Sequence, residues 1–368
     1  MILSLYVVKE HIAPFFIGFL ALTSILLMNQ IFLLIWDVIG KGVPFLTVLY
    51  ILLLYLPSIF ALTIPMSVMV ASCMAFGRLS SDFEITAIRS SGINPLKLNT
   101  LPLIMGTGLA LFMIWFNNHT LPEANHKLKN IMLELAQKKP SLQIKPFVTF
   151  TDFEGYYLNV GAVNYKSGQI ERVRLLEKST EREIFAQNGK FITSGNKIIL
   201  VLNNGEIHEL IKDKRYRKIS FKEHRIYIPM DNEEIRIQKD FRGERELSAQ
   251  ALKKDINREL QKSKPNKKVK NGKIYSMLVE YHKKYSIPAA SFIFILLGCP
   301  LAIRVKKRGV GVGFGLPLLF FIFYYVCLVG GESLGDRGVV QPWIAMWFAN
   351  AALLIIAIVA TFRANKLS

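Results

Sequence analysis

The sequence has few of the residues from which catalytic and metal sites are built. Its three cysteines, Cys73, Cys299 and Cys327, all lie in apolar stretches, so we expect packing thiols and neither disulfides nor a cysteine zinc cluster. The six histidines are scattered without an H-E-x-x-H motif, and neither a Walker A sequence nor a G-x-S-x-G elbow occurs. We therefore expect no enzyme activity of the chain itself, no metal and no cofactor.

Charge is also missing from six long stretches of the 368-residue chain, which is 51% hydrophobic. The uncharged stretches are 14–36, 43–76, 98–116, 286–303, 309–331 and 339–362. Each is long enough to cross the roughly 30 Å hydrocarbon layer as a helix. The pattern predicts an α-helical membrane protein with six transmembrane helices, three before and three after a soluble insertion at 118–285.

The insertion changes character along its length. We expect the third span to continue as helix to Lys138, β-prone runs from about 143 to 229 with glycines at their turns, and helices from Ser248 and Ile274 that lead into the fourth span. The predicted turn glycines are Gly155, Gly161, Gly168, Gly189, Gly195 and Gly205. Strands at this spacing favour an all-β, jelly-roll-like domain.

Cations are scarce in two of the short loops, and their distribution predicts the orientation of the chain in the membrane. The loops at 37–42 and 332–338 contain only Lys41 and Arg337. The opposite side has Lys9, Arg78, Arg89, Lys97, Arg304, Lys306, Lys307, Arg308, Arg363 and Lys366. Positive residues mark the cytoplasmic side, so both termini are expected there and the insertion outside, which in a bacterium is the periplasm. The net charge of +19 then favours anionic lipid and not nucleic acid as the partner.

A short cytoplasmic helix is predicted at 82–91 between the second and third spans. Ser81 and Glu84 fit an S-x-x-E capping box, and Gly92 followed by Pro95 fits a stop. Glu84 has two readings: it caps the helix with Ser81, or its carboxylate meets a cation of a docked subunit.

Three further charged features each have two readings. Glu332, at the outer end of the fifth span, is either a solvated loop acid or an acid with an internal partner such as Arg337. Lys41 is either an interfacial anchor or a phosphate contact. The lysine-rich turn at 262–273 is either solvated or meets anionic headgroups.

Several motifs together resemble the LptF/LptG permease family. They are the segment from Phe76 to Gly92, then Pro288, the run from Pro300 to Arg304, Gly313, Tyr324 with Tyr325, the run from Glu332 to Gly338, Pro342 with Trp343, and Asn350. The resemblance covers nearly the whole chain and includes the order of three spans, an inserted domain and three spans.

The resemblance implies a permease subunit of an ABC-type lipopolysaccharide exporter in a Gram-negative inner membrane. The expected partners are an LptB-type ATPase dimer, a second LptF/LptG-type permease subunit, LptC, an LptA-type bridge and the lipopolysaccharide. The domains would be 1–117 with a coupling helix at 82–91, the periplasmic β-jellyroll domain at 118–285, and 286–368.

The resemblance also assigns candidate site residues. Contact with the ATPase is expected from Asp82, Phe83, Glu84, Ile88 and Arg89. The candidate lipid contacts are Gln30, Leu33, Lys41, Glu332 and Arg337, although some members have basic residues where this chain has Gln30 and Leu33. A membrane-anchored scaffold without transport activity is the alternative reading, and a membrane-tethered enzyme is a third.

Overall fold

The fold was analysed in a computed structural model. It describes residues 2–37, 43–138, 144, 146–151, 155–165, 167–178, 180, 182–194, 197–211, 215–229, 239–262, 272–304 and 310–365. The candidate Lys41 and most of the lysine-rich turn at 262–273 lie outside these residues.

The described helices follow the predicted spans closely. They are α1 (Ile2–Asp37), α2 (Phe45–Ser81), α3 (Glu84–Ser90), α4 (Thr100–Lys138), α5 (Ala249–Lys262), α6 (Gly272–Arg304), α7 (Val310–Asp336) and α8 (Pro342–Asn365), with 3-10 turns at Pro95–Asn99 and Glu244–Glu246. Six of them are long and apolar enough to cross a membrane, namely all except α3 and α5. The chain is therefore a multi-pass membrane protein, as the uncharged stretches predicted.

The inserted segment contains a five-stranded antiparallel sheet. Its strands are β1 (Tyr156–Asn164), β2 (Gln169–Glu177), β3 (Glu183–Ser194), β4 (Lys197–Ile211) and β5 (Arg215–Pro229). The strand order is β1-β2-β3-β4-β5, so each described strand pairs with its neighbour in sequence and the sheet is a meander. The all-β class of the insertion is confirmed. The run predicted at 147–150 contributes only an isolated bridge between Phe150 and Leu158.

Three of the predicted turn glycines lie inside strands instead. Gly161, Gly189 and Gly205 are in β1, β3 and β4, so runs that the glycines seemed to separate are joined into long strands. Close packing explains their presence: a Cβ on Gly205 would lie 2.2 Å from the Phe185 carbonyl oxygen. Gly155 and Gly168 do have positive φ angles, as turn residues should, and Gly195 lies outside the described residues.

The chain divides into two compact units, each with its own core. One unit comprises Met1–Asn29, Leu54–His126 and Arg242–Ser368, and the other comprises Gln30–Leu53 and Lys127–Phe241. In the first unit, α2, α6, α7 and α8 share a buried cluster that includes Met69, Phe294, Tyr324 and Leu353. In the second, alternate residues of the strands fill the core, among them Leu158, Val160, Ile170, Val173, Leu175, Leu200 and Leu202.

Two helices extend past the predicted spans. α4 continues as far as Lys138, and α6 already begins at Gly272, as the sequence predicted. Ser248 caps α5 as expected, since its hydroxyl oxygen accepts a hydrogen bond from the Ala251 N–H at 3.3 Å. The expected domain boundaries at 117/118 and 285/286 therefore lie within α4 and α6.

Candidate functional site

The first candidate site is the short helix α3, at the junction of α2 and the turn that leads into α4. It spans Glu84–Ser90 and is followed by Gly92 with a φ of 76°, which agrees with the predicted stop. Ile85 is buried in a cluster with Val7, Phe76 and Leu79, and Ile88 packs against that cluster. Burial of this face fixes α3 to the ends of α1, α2 and α6.

The predicted capping box is wrong. α2 continues through Ser81, whose hydroxyl donates to the Arg78 carbonyl at 3.0 Å. Phe83 precedes α3 in a left-handed conformation with a φ of 62°, and no side-chain cap is present. Ser81 is the last residue of α2 and Phe83 is the residue that directly precedes α3, so Ser81 does not occupy the N-cap position that the capping box requires.

Glu84 has a different partner from the expected one. The hydroxyl of Tyr6 on α1 donates to Glu84 Oε1 at 3.1 Å. Nearby, Arg78 forms an ion pair with Glu10 and a longer one of 3.6 Å with Asp82. The carboxylate of Glu84 is thus linked to α1 by a hydrogen bond from a neutral hydroxyl.

The opposite face of α3 is open. The side chain of Phe83 is 69% exposed. Asp82 is also exposed. Arg89 is partly buried, and its Nε has no hydrogen-bond partner among the described residues. An apolar ring, an acid and an incompletely paired guanidinium therefore lie within one short segment.

The second candidate site is an ionic network around Glu332. Its Oε1 accepts from Arg245 at 2.8 Å and its Oε2 accepts from Lys283 at 2.8 Å. Glu280 accepts from the same two cations, each at 3.2 Å. The network joins the C-terminal end of α7 to α6 and to the turn at Glu244–Glu246.

Glu332 is therefore an internally paired acid, but its partners are not the suggested one. The sequence suggested Arg337, whose side chain is exposed, whereas the structure pairs Glu332 with Arg245 and Lys283. Partial desolvation of the guanidinium lowers the pKa of Arg245, and the charges of Glu280 and Glu332 outweigh this, so that its pKa is raised overall. The network thus pairs two basic side chains with two acidic ones.

Sequence reasoning missed Arg245, Lys283 and Lys284 as site residues. Lys284 is 5% exposed and donates to the Asn117 carbonyl oxygen on α4 at 2.9 Å. Two consecutive lysines directly before an uncharged span were the available signal, because a buried cation at a membrane edge needs a partner.

The remaining lipid-contact candidates lie on α1 or outside the described residues. Gln30 and Leu33 are one helical turn apart on α1 and so share a face, and Leu33 is 54% exposed. Neither provides a cation. Among the described residues no group of three or more histidine, cysteine or acidic side chains is placed to hold a metal ion.

Comparison of the sequence with known proteins agrees with this architecture. The family model described as lipopolysaccharide export system permease LptF/LptG matches residues 5–363, which is nearly the whole chain. A comparison with curated proteins gave no match. The matched range includes all six membrane-spanning helices, the inserted sheet and both candidate sites. The chain therefore belongs to the LptF/LptG family of lipopolysaccharide export permeases.

Proposed function

We propose that the chain is a permease subunit of an ABC-type exporter that extracts lipopolysaccharide from the inner membrane and passes it to a periplasmic bridge. The observation that carries the proposal is the family match over residues 5–363 on a fold with six spanning helices and an inserted β sheet. Members of this family are transport subunits, so the energy would come from a separate LptB-type ATPase dimer. A second permease subunit would complete the lipid cavity.

The proposed ATPase contact is α3. An exposed aromatic ring beside acidic residues is the composition expected of a small docking surface, because buried aromatic residues dominate binding energies and charges set the register. Phe83 would enter a pocket of the ATPase, and Glu84 and Asp82 would meet its cations. Ile85 and Ile88, which pack against the spans, would pass the movement of α3 to α1, α2 and α6.

The proposed lipid path begins in the membrane. Gln30, Leu33 and Lys41 on or after α1, with Glu332 and Arg337 at the end of α7, would lie beside the lipid. Acyl chains would then follow the apolar residues of the sheet toward LptC and an LptA-type bridge. In this arrangement both termini are cytoplasmic and the sheet is periplasmic, as the loop charges predict.

Co-purification from membranes tests the ATPase contact. Phe83→Ala and Glu84→Arg are each expected to reduce the retained ATPase at least tenfold, since a central aromatic or a charged contact is typically worth 2 kcal/mol or more, about thirtyfold. Tyr6→Phe is the matched control, because it removes the internal hydrogen bond to Glu84 without changing the carboxylate. Thr86→Ala, on the exposed part of α3, is the control for surface change.

The outcomes separate the alternatives. Full ATPase retention by both Phe83→Ala and Glu84→Arg would remove α3 from the coupling role. Loss in Tyr6→Phe equal to that in Glu84→Arg would assign Glu84 a structural role only. A chain that never retains an ATPase but binds a periplasmic protein would favour the scaffold reading.

Photocrosslinking in cells tests the lipid path. A photoreactive residue is placed at Leu33, at Lys41 and at Phe221, a partly buried position on the sheet. Lipopolysaccharide adducts are expected at the sheet position and at one or more of the α1 positions. Their absence at all three positions would contradict transport along this route.

A further inference from the structure

A cavity of about 250 Å³ lies among α2, α4 and α6 beside the ionic network, within one compact unit. It is lined by Ser58, Ala61, Leu62, Asn117, Leu121, Asn125, Arg245, Glu280, Lys283, Lys284 and Ile287. The α6 residues among them recur at the spacing of one helix face, as do those of α4. Apolar residues and charged residues thus share the walls of one cavity.

Lys284 is the buried cation of this cavity. It is 5% exposed, and among the described residues its ammonium group donates one hydrogen bond, to the neutral carbonyl of Asn117. No carboxylate of the described residues lies within salt-bridge distance of it. The neighbouring Glu280 is already shared between Arg245 and Lys283. A buried ammonium without an anion is unfavourable, so the site is electrostatically incomplete.

Asn117 provides a second unfilled group. Its side chain is 2% exposed, and its Oδ1 has no hydrogen-bond partner among the described residues. A buried amide oxygen requires a donor. The cavity therefore contains the Lys284 ammonium group, which has no anionic partner in the described part of the chain, and the Asn117 Oδ1 acceptor, which can take a hydrogen bond from a hydroxyl or an amine.

We propose that this cavity binds the phosphate group of an anionic phospholipid whose headgroup carries hydroxyls. The phosphate oxygens would accept from Lys284, with Lys283 and Arg245 near by, and a headgroup hydroxyl would donate to Asn117 Oδ1. Leu62, Leu121 and Ile287 would contact the glycerol and the start of an acyl chain.

Native mass spectrometry of the full-length protein tests the site. The detergent-purified chain is titrated with phosphatidylglycerol, with phosphatidylcholine and with inorganic phosphate. Wild type is expected to bind the first at least tenfold more tightly than the second, because only the first combines net negative charge with hydroxyl donors. Equal affinity for both lipids would overturn the proposal.

Substitutions at Lys284 locate the binding. Lys284→Met is expected to weaken phosphatidylglycerol binding at least tenfold, whereas Lys284→Arg keeps the charge and stays within about threefold. Lys273→Met removes an exposed lysine of the same helix and is expected to change nothing. Unchanged binding by folded Lys284→Met would overturn the assignment. If that variant does not fold, the wild-type lipid comparison and Lys284→Arg still decide it.

Inorganic phosphate distinguishes the source of the anion. If millimolar phosphate fails to displace phosphatidylglycerol, the lipid is the ligand. If phosphate binds in a manner that depends on Lys284 and phosphatidylglycerol does not bind, the phosphate chemistry stands and the lipid source is overturned.

Discussion

Neutralising Glu332 is expected to destabilise the C-terminal end of α7. Glu332→Gln removes one of two carboxylates from a network in which Arg245 and Lys283 each contact both acids. The two remaining cations would then share Glu280 alone. The size and shape of the side chain hardly change, so the effect reports charge.

The magnitude follows from the two ion pairs that Glu332→Gln breaks, each of 2.8 Å. Hydrogen bonds to charged groups contribute about 1.5–3 kcal/mol each. Because the Arg245 side chain is 70% exposed, its share is reduced by solvent screening, and we expect a total of about 2 kcal/mol. At about 1.4 kcal/mol per factor of ten, amide exchange in the last turn of α7 and at Glu244–Glu246 should accelerate roughly thirtyfold.

Hydrogen–deuterium exchange of the full-length protein in detergent is the assay. Arg337→Gln is the matched control: it also removes one charge near the end of α7, but its side chain is exposed, and a change below about threefold is expected. A double-mutant cycle between Arg245→Gln and Glu332→Gln should give a coupling of about 1 kcal/mol. Equal exchange in Glu332→Gln and Arg337→Gln would refute the network and restore the solvated-acid reading.

Three further tests concern packing and strain. Gly331→Ala places a Cβ 2.5 Å from the Ala345 carbonyl oxygen and should destabilise the α7–α8 contact by about 1–3 kcal/mol. In Gly330→Ala the new Cβ meets nothing within 4 Å, so this substitution should be neutral or stabilising. Denaturant unfolding in detergent measures the difference in stability between the two variants. Gly205→Ala should increase the rate of proteolysis in the sheet more than Gly161→Ala does. The new Cβ at position 205 would contact the backbone carbonyl of Phe185, whereas the new Cβ at position 161 would contact the side chain of Arg172, which can move. Phe83→Gly relieves the strain of a left-handed φ of 62°, so it should leave stability unchanged or raise it by up to about 1 kcal/mol. The same variant should lose ATPase retention. A loss of thermal stability would contradict the strain argument.

The spans were predictable because the bilayer imposes a simple rule on sequence. A segment that crosses hydrocarbon must be apolar for about 20 residues, and only such segments lack charge for that long here. The continuations of α4 and α6 beyond the membrane were also predictable, since no glycine or proline cluster separates them from the spans.

The errors have local physical causes. Gly205 was read as a turn signal, but its missing side chain makes room for the backbone of Phe185 within the sheet. Ser81 and Glu84 match a capping box in spacing. However, α2 continues through Ser81, whose hydroxyl donates to the Arg78 carbonyl, and the left-handed Phe83 takes the position directly before α3. The left-handed conformation of Phe83 is therefore the local feature that the capping-box pattern does not predict.

The partners of Glu332 could not be found by inspection of its neighbours. Lys283 and Arg245 are 49 and 87 residues away in sequence. Packing of α6 beside α7 brings Lys283 to Glu332, and the turn at Glu244–Glu246 places Arg245 there. The sequence could indicate that an acid at this depth needs a cation, but Arg337 was simply the nearest one along the chain.

The continuity of α4 limits where the protein can bend or be cut. Its 39 residues form one continuous helix, with no loop between the apolar part and the part that leads into the insertion. A fragment that begins at residue 118 would start in mid-helix, with four backbone N–H groups stripped of their acceptors. Within α4, Pro122 lacks an N–H and so leaves the Asn118 carbonyl without its usual helical hydrogen-bond donor. Bending of α4 at this proline therefore breaks one helical hydrogen bond fewer than bending at a residue with an N–H.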